Sequence, residues 1–207
     1  MKITFLGDSI RQQYARRLKE TFAGEFEVWH PTENGRFAQY TLRGLFDWSE
    51  KMAGTDIVHW NNGHWDVCDL FGDGAFTPEE EYVETMLRMA DILQKKYKAV
   101  IFATTTPVRP ENPYNRNSVI DRYNERLVPL LRKRGVIIND LNGLLRQDLY
   151  RYISEDNIHL SEEGIDLCAD RVARIIRETA KTLPGGGDDG RTGQEPDKSR
   201  AGLPVLL

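Results

Sequence analysis

Cysteine is scarce in this 207-residue chain, occurring only at Cys68 and Cys168. Two thiols build no disulfide framework, which excludes the small secreted scaffolds that depend on one. Both are read as small buried hydrophobes. Long apolar runs are missing too, and nothing approaches the ~20 residues of a membrane span. The first apolar stretch, residues 3–6 with Thr4 inside it, falls short of the ~7–15 residues of a signal-peptide core. These absences predict a cytoplasmic protein with no membrane partner. Positive charge is not in excess: 28 Lys and Arg face 32 Asp and Glu, for a net charge of −4. That excludes the electrostatic footprint of a nucleic-acid binder. Histidine occurs four times, at His30, His59, His64 and His159, and no HxxxH or CxxC spacing accompanies it. No metal site and no cofactor are expected. His59 falls within a strand pattern and is read as a buried, hydrogen-bonded side chain. No internal repeat is visible.

What is present is alternation. Short runs rich in β-branched and aromatic residues lie at 2–6, 26–29, 56–61, 99–104 and 135–139. Between them, amphipathic helical patterns cover 10–23, 41–52, 78–97, 118–134 and 161–182. Thr77 is placed to cap the third of these, with Pro78 in the first helical position and acids following. Ser161 is placed to cap the last. Strand–helix alternation of this kind predicts an α/β fold with a five-stranded parallel sheet and helices on both faces. From Pro184 onward the pattern dissolves. That stretch holds six of 17 glycines and three of nine prolines. The expected division is one domain over 1–183 and a Gly/Pro-rich tail over 184–207, without a catalytic role.

In parallel α/β sheets, ligands bind outside the carboxyl ends of the strands. The residues placed there include Gly7-Asp8-Ser9, then Gly35 and Arg36, then Asn61, Asn62, Gly63 and Trp65, and finally Asp156 and His159 just before the last helix. A hydroxyl, an imidazole, a carboxylate and several oxyanion donors are what acyl transfer from an ester requires. Ser9 is then the nucleophile and His159 its base. Asp156, three residues upstream, orients the imidazole. Ser9 at a helix start also leaves its backbone N–H free to face an anion.

Over about its first 180 residues the chain resembles the SGNH, or GDSL-type, hydrolases. The resemblance rests on Gly7-Asp8-Ser9, on Gly35 in "ENGRF", and on Asp156-Asn157-Ile158-His159 followed by "LSEEG". It implies a flavodoxin-like three-layer α/β/α sandwich, a nucleophile at Ser9 and an oxyanion-hole N–H at Gly35. The family's third block, Gly-x-Asn-Asp, is altered. In "WNNGHWD" Trp65 stands where that asparagine belongs, and Asn61 and Asn62 precede the glycine instead. Asn61, Asn62 and the Trp65 indole are the candidate side-chain donors. Members of the family cleave acetyl groups from sugars, short esters, thioesters and lysophospholipids. With no long apolar lid segment, a small acyl ester, acetyl above all, on a carbohydrate or metabolite is expected.

Each of these residues has a plainer reading. Ser9 makes a good helix N-cap. Gly35, Asn61 and Asn62 make good turns. Asp8 is read as a structural hydrogen-bonder. Trp65, Tyr114 and Arg36 are expected to line the substrate pocket. The alternative to an esterase is a non-catalytic binding module of the same fold with an altered oxyanion hole.

Overall fold

The computed structural model describes residues 1–184. Apart from Pro184, the expected tail lies outside them. Five parallel strands form one sheet: β1 (Lys2–Leu6), β2 (Glu27–Trp29), β3 (Ile57–Trp60), β4 (Ala99–Ala103) and β5 (Ile137–Asn139), in the order β2-β1-β3-β4-β5. Five longer helices connect or flank them: α1 (Ser9–Thr21), α2 (Ala38–Asp47), α4 (Glu79–Lys96), α5 (Asn117–Lys133) and α8 (Glu162–Thr182). Three short helices were not anticipated: α3 (His64–Val67), α6 (Leu141–Leu145) and α7 (Leu149–Tyr152). The strand order reverses at β1, which pairs with β2 on one side and β3 on the other. That switch point is where a doubly wound sheet opens its ligand crevice.

Period-two alternation divides the core. Ile3, Phe5, Ile57, Ile101 and Ala103 pack with α1 and α8. Leu6, Val58, Trp60, Val100 and Phe102 pack on the other face with α2, α4 and α5. His59 faces the α1–α8 side. It is fully buried against Phe5 and Tyr14, its Nε2 lies 3.1 Å from the Asn139 amide nitrogen, and burial pushes its pKa down to about 3. Cys68 and Cys168 are buried and unpaired.

Two helix starts differ from expectation. The predicted helix 41–52 begins earlier, at Ala38. The Asp66 carboxylate accepts the Ala38 N–H through both oxygens, at 3.0 and 3.2 Å, and so caps α2 from 28 residues away. Thr77 does not cap α4. Its hydroxyl donates to the same Asp66 carboxylate at 2.9 Å, and Pro78 takes the N-cap position. Ser161 does cap α8, accepting from Gly164 N–H at 3.1 Å. Asp66 thus joins α2, α3 and the entry to α4 through a single buried group.

Asn124 plays a comparable part on α5. Its side chain accepts the Thr105 N–H at 3.0 Å and donates to the Thr105 carbonyl at 2.9 Å, tying the end of β4 to the helix. Asn124→Ala leaves the buried Thr105 N–H unpaired, while the Thr105 carbonyl keeps the Asn142 amide at 2.8 Å. It should cost about 1–3 kcal/mol in urea unfolding. A loss below a few tenths of that range would show that water replaces the amide.

Burial pushes the Asp66 carboxyl up to about 7, against the opposing Ala38 and Thr77 hydrogen bonds. An unfolded aspartate titrates near ~3.9. The stability contributed by the protonated carboxyl is therefore complete below about pH 4 and is lost as pH rises to about 7. Asp66→Asn cannot ionise. Between about pH 4.5 and about pH 7.5, its stability relative to wild type should improve by about 1–3 kcal/mol. Parallel pH profiles for the two proteins would show that Asp66 does not titrate in this range.

Candidate active site

The turn after β1 is built on Gly7, whose φ is +135°. A Cβ there would lie 2.4 Å from the Asn61 carbonyl oxygen, so only glycine admits this approach of β1's end to β3's. Asp8 follows as the N-cap of α1, its Oδ1 accepting the Ile10 N–H at 3.0 Å. The capping role open to Ser9 is thus taken by its neighbour. Ser9 becomes the first helical residue, and its hydroxyl is left for other work. Asp8 is fully buried, and the Asn61 amide donates to its Oδ1 at 2.8 Å.

The Ser9 partner comes from the loop before α8. An antiparallel bridge between Ile153 and Leu160 closes this loop, helped by Ser154 N–H on the His159 carbonyl at 2.7 Å. Inside it, Asp156 Oδ1 accepts from Ser154 Oγ, Ile158 N–H and His159 N–H at 2.7, 3.0 and 2.9 Å. Its Oδ2 lies 2.6 Å from His159 Nδ1, and His159 Nε2 lies 2.9 Å from Ser9 Oγ. These partners put the ring proton on Nδ1 and leave Nε2 to accept from the serine. Partial burial pushes the Asp156 carboxyl up. The hydrogen bonds from Ile158, Ser154 and His159 outweigh it and hold the group well below the usual carboxylate range.

Two residues fasten that loop to the sheet. Gln13, one turn along α1 from Ser9, accepts the Leu160 N–H at 3.0 Å and donates to the Leu160 carbonyl at 3.2 Å. The residue beside His159 is therefore clasped by the helix that carries Ser9. Arg109 N–H donates to the Asn157 carbonyl at 3.1 Å, and its guanidinium binds the Ile153 and Tyr150 carbonyls, the latter at 2.9 Å. Sequence reading missed both anchors. The signal for Gln13 was its i+4 spacing from Ser9, which puts both side chains on one helix face.

The oxyanion candidates have other partners here. Gly35 N–H donates to the Gly7 carbonyl at 2.8 Å, so the expectation that it faces an oxyanion is not met in this arrangement. A Cβ on Gly35 would lie 2.5 Å from that same carbonyl oxygen. The Asn62 amide donates to the Arg36 carbonyl and to Thr41 Oγ1, both at 2.9 Å. Both of its N–H bonds are spent holding the loop before α2. Asn61 has one on Asp8. Trp65 and Tyr114 are 43% and 51% exposed, and the Arg36 guanidinium lies over the Tyr40 ring, 4.9 Å from its centroid. His64, buried beneath this region, bonds Thr106 Oγ1 at 2.8 Å and the Asn115 amide at 3.3 Å. Burial pushes its pKa down. Among the described residues, no group of three or more His, Cys, Asp or Glu gathers as a metal site. A cleft of about 410 Å³ at the β4–β5 end of the same edge contains none of Ser9, Asp156 or His159.

No family model matches the chain. Two curated plant proteins do. A GDSL esterase/lipase of Oryza sativa subsp. japonica, WDL1, is 25% identical over 174 residues, covering 69% of this chain and 67% of its own. A GDSL esterase/lipase of Arabidopsis thaliana, CPRD49, is 27% identical over 174 residues, covering 69% and 68%. Among solved structures, the lipase/acylhydrolase from Enterococcus faecalis superposes with a TM-score of 0.68 at 18% identity, covering 86% of this chain and 96% of that one. Axe2, an acetylxylan esterase from Geobacillus stearothermophilus, superposes with a TM-score of 0.66 at 17% identity, covering 84% and 93%. The two structures share the fold, and the curated relatives carry the family. With the five-stranded parallel sheet and the Gly-Asp-Ser turn at its switch point, these likenesses support an SGNH, or GDSL-type, hydrolase family and a carboxylic ester hydrolase.

Proposed function

We propose that the protein is a serine esterase that removes a small acyl group, acetyl above all, from a carbohydrate or metabolite ester. The observation that carries this reading is the continuous chain Asp156–His159–Ser9, with contacts of 2.6 and 2.9 Å. A serine hydroxyl is inert until a base takes its proton, and the base must present the correct nitrogen. In this reading Ser9 Oγ attacks the acyl carbonyl carbon as His159 Nε2 accepts the serine proton. Asp156 steadies the imidazolium. The tetrahedral oxyanion is met by the Ser9 N–H at the start of α1, with Gly35 N–H and the Asn61 and Asn62 amides as the further candidates. His159 then protonates the leaving alkoxide. Water repeats the sequence on the acyl-enzyme and releases the acid.

Acetylxylan esterases are among the proteins that share this fold. Trp65 and Tyr114, half-exposed, are candidates for a pocket wall, as is Arg36 over the Tyr40 ring. No described helix is long and apolar enough to cross a membrane. The binding-module alternative keeps the fold and needs no aligned triad, so the observed alignment favours the enzyme.

Turnover of p-nitrophenyl acetate, with stoichiometric labelling of Ser9 by a fluorophosphonate, tests the reading. Ser9→Ala should lower kcat by about 10⁴-fold or more while leaving Tm unchanged. Retained turnover in the folded variant would remove Ser9 as nucleophile. Asp156→Asn is more discriminating. An asparagine keeps the Oδ1 acceptor for the Ile158 and His159 N–H groups but donates toward His159 Nδ1, turning the ring to the tautomer that cannot accept from Ser9. A loss of about 10²–10⁴-fold in kcat with an intact fold is expected. Wild-type rates in that variant would show that the carboxylate does not orient the base.

Gln13→Ala frees the Leu160 backbone from α1. It should reduce kcat by about 10-fold or more with KM nearly constant, because it disturbs alignment rather than binding. An unchanged kcat would show that the Ile153–Leu160 bridge alone positions His159.

A further inference from the structure

Arg11 is fully buried, two residues beyond Ser9 on α1. No carboxylate lies within ion-pair distance of its guanidinium among the described residues. Its charge is instead met by main-chain oxygens. Nη1 donates to the Pro31 carbonyl at 3.0 Å, and Nη2 donates to the Glu33 carbonyl at 2.7 Å and the Gly7 carbonyl at 3.2 Å. Nη1 also lies 3.4 Å from His30 Nδ1. Burying an arginine this way is costly, and burial lowers its pKa to about 10. A hydrophobic side chain would fill the space at less expense.

The Gly7 carbonyl has two donors, Arg11 Nη2 and Gly35 N–H. The flanks of the Gly35 loop are also fastened. On one side Arg11 holds the carbonyls of Pro31 and Glu33. On the other, Thr41 Oγ1 donates to the Gly35 carbonyl at 2.7 Å, and the Asn62 amide holds the Arg36 carbonyl. Between these anchors lies the Asn34–Gly35 peptide. Its N–H rests on Gly7, and among the described residues no hydrogen bond falls on its carbonyl. Rotating that one plane re-aims Gly35 N–H without disturbing either flank.

We infer that Arg11 is a positioning residue for the oxyanion hole. It anchors the loop before α2 and keeps the Gly7 carbonyl hydrogen-bonded when Gly35 N–H leaves it for the oxyanion. Without a second donor, that departure would strand a buried carbonyl at the moment of reaction, and the strand would raise the barrier. With Arg11 in place, the exchange trades one acceptor for another. This inference rests on the esterase reading and assigns the origin of the second oxyanion donor within it.

The direct test needs no variant. In the structure of the wild-type protein carrying a fluorophosphonate adduct on Ser9, Gly35 N is expected within hydrogen-bond distance of the phosphonyl oxygen, with Arg11 Nη2 still on the Gly7 carbonyl. An adduct in which Gly35 N–H remains on Gly7 overturns this inference alone. Failure of any adduct to form on Ser9 overturns the esterase reading, and this inference with it. Kinetics give the complementary measurement. Arg11→Lys and Arg11→Met, each normalised to sites titrated by the phosphonate, should lose about 10²-fold in kcat with KM nearly constant, as for removal of one oxyanion donor. Millimolar guanidinium should restore part of the loss in Arg11→Ala, and equimolar methylammonium should not. A purely structural role would lower Tm and the titratable fraction but leave kcat per titrated site at the wild-type value, which would overturn the proposal.

Discussion

Three chain segments meet at Gly7 with no room for a side chain between them. The end of β1 lies against Asn61 at the end of β3, and the loop before α2 lies against β1 through Gly35. Each approach is closer than a Cβ allows. The left-handed φ of Gly7 also turns the chain sharply enough for Asp8 to cap α1 and for Ser9 to open it. Shift any one segment outward and Ser9, the Asp8 cap beside it and the candidate donors no longer share a site.

The groups that hold this junction are only in part the ones expected to do chemistry. Arg11 and Gln13 leave the same helix as Ser9 and reach to opposite sides, one to the loop before α2 and the other to the loop carrying His159. Asn62 and Asn61 spend amide hydrogens on the Arg36 carbonyl, Thr41 and Asp8. The arrangement is incompletely satisfied. Among the described residues, the buried side-chain polar atoms without a protein partner are Asp8 Oδ2, Arg11 Nε, Trp60 Nε1, Asn61 Oδ1, Asn62 Oδ1 and Arg109 Nε. Unpaired buried groups cost about 1–3 kcal/mol each when no water reaches them. Four of the six belong to the segments that meet at Gly7, the pattern of a site where stability gives way to function.

Much of the fold was legible because burial on both faces of a parallel sheet writes itself into short, β-rich runs. The five strands fall within a few residues of their expected places, and the five long helices follow the 3.6-residue spacing. The two misplaced helix starts share one cause. The start of α2 depends on a carboxylate 28 residues ahead, and the Thr77 hydroxyl is diverted to that same carboxylate. Local patterns cannot report a cap delivered through space. The short helices α3, α6 and α7 are too brief for periodicity to register.

By itself the sequence determined the layer order, the Gly-Asp-Ser turn at a strand end and the pairing of Asp156 with His159, since residues three apart in one loop meet by local geometry. Only the tertiary structure decided that His159 Nε2 reaches Ser9 across 150 residues. It also decided that Asp8 rather than Ser9 caps the helix, and that Gly35 N–H and the Asn62 amide are already occupied. Those outcomes turn on which of several competing acceptors lies nearest a donor. That choice is made by distances of tenths of an ångström between segments far apart in the chain, and no local pattern of residues encodes it.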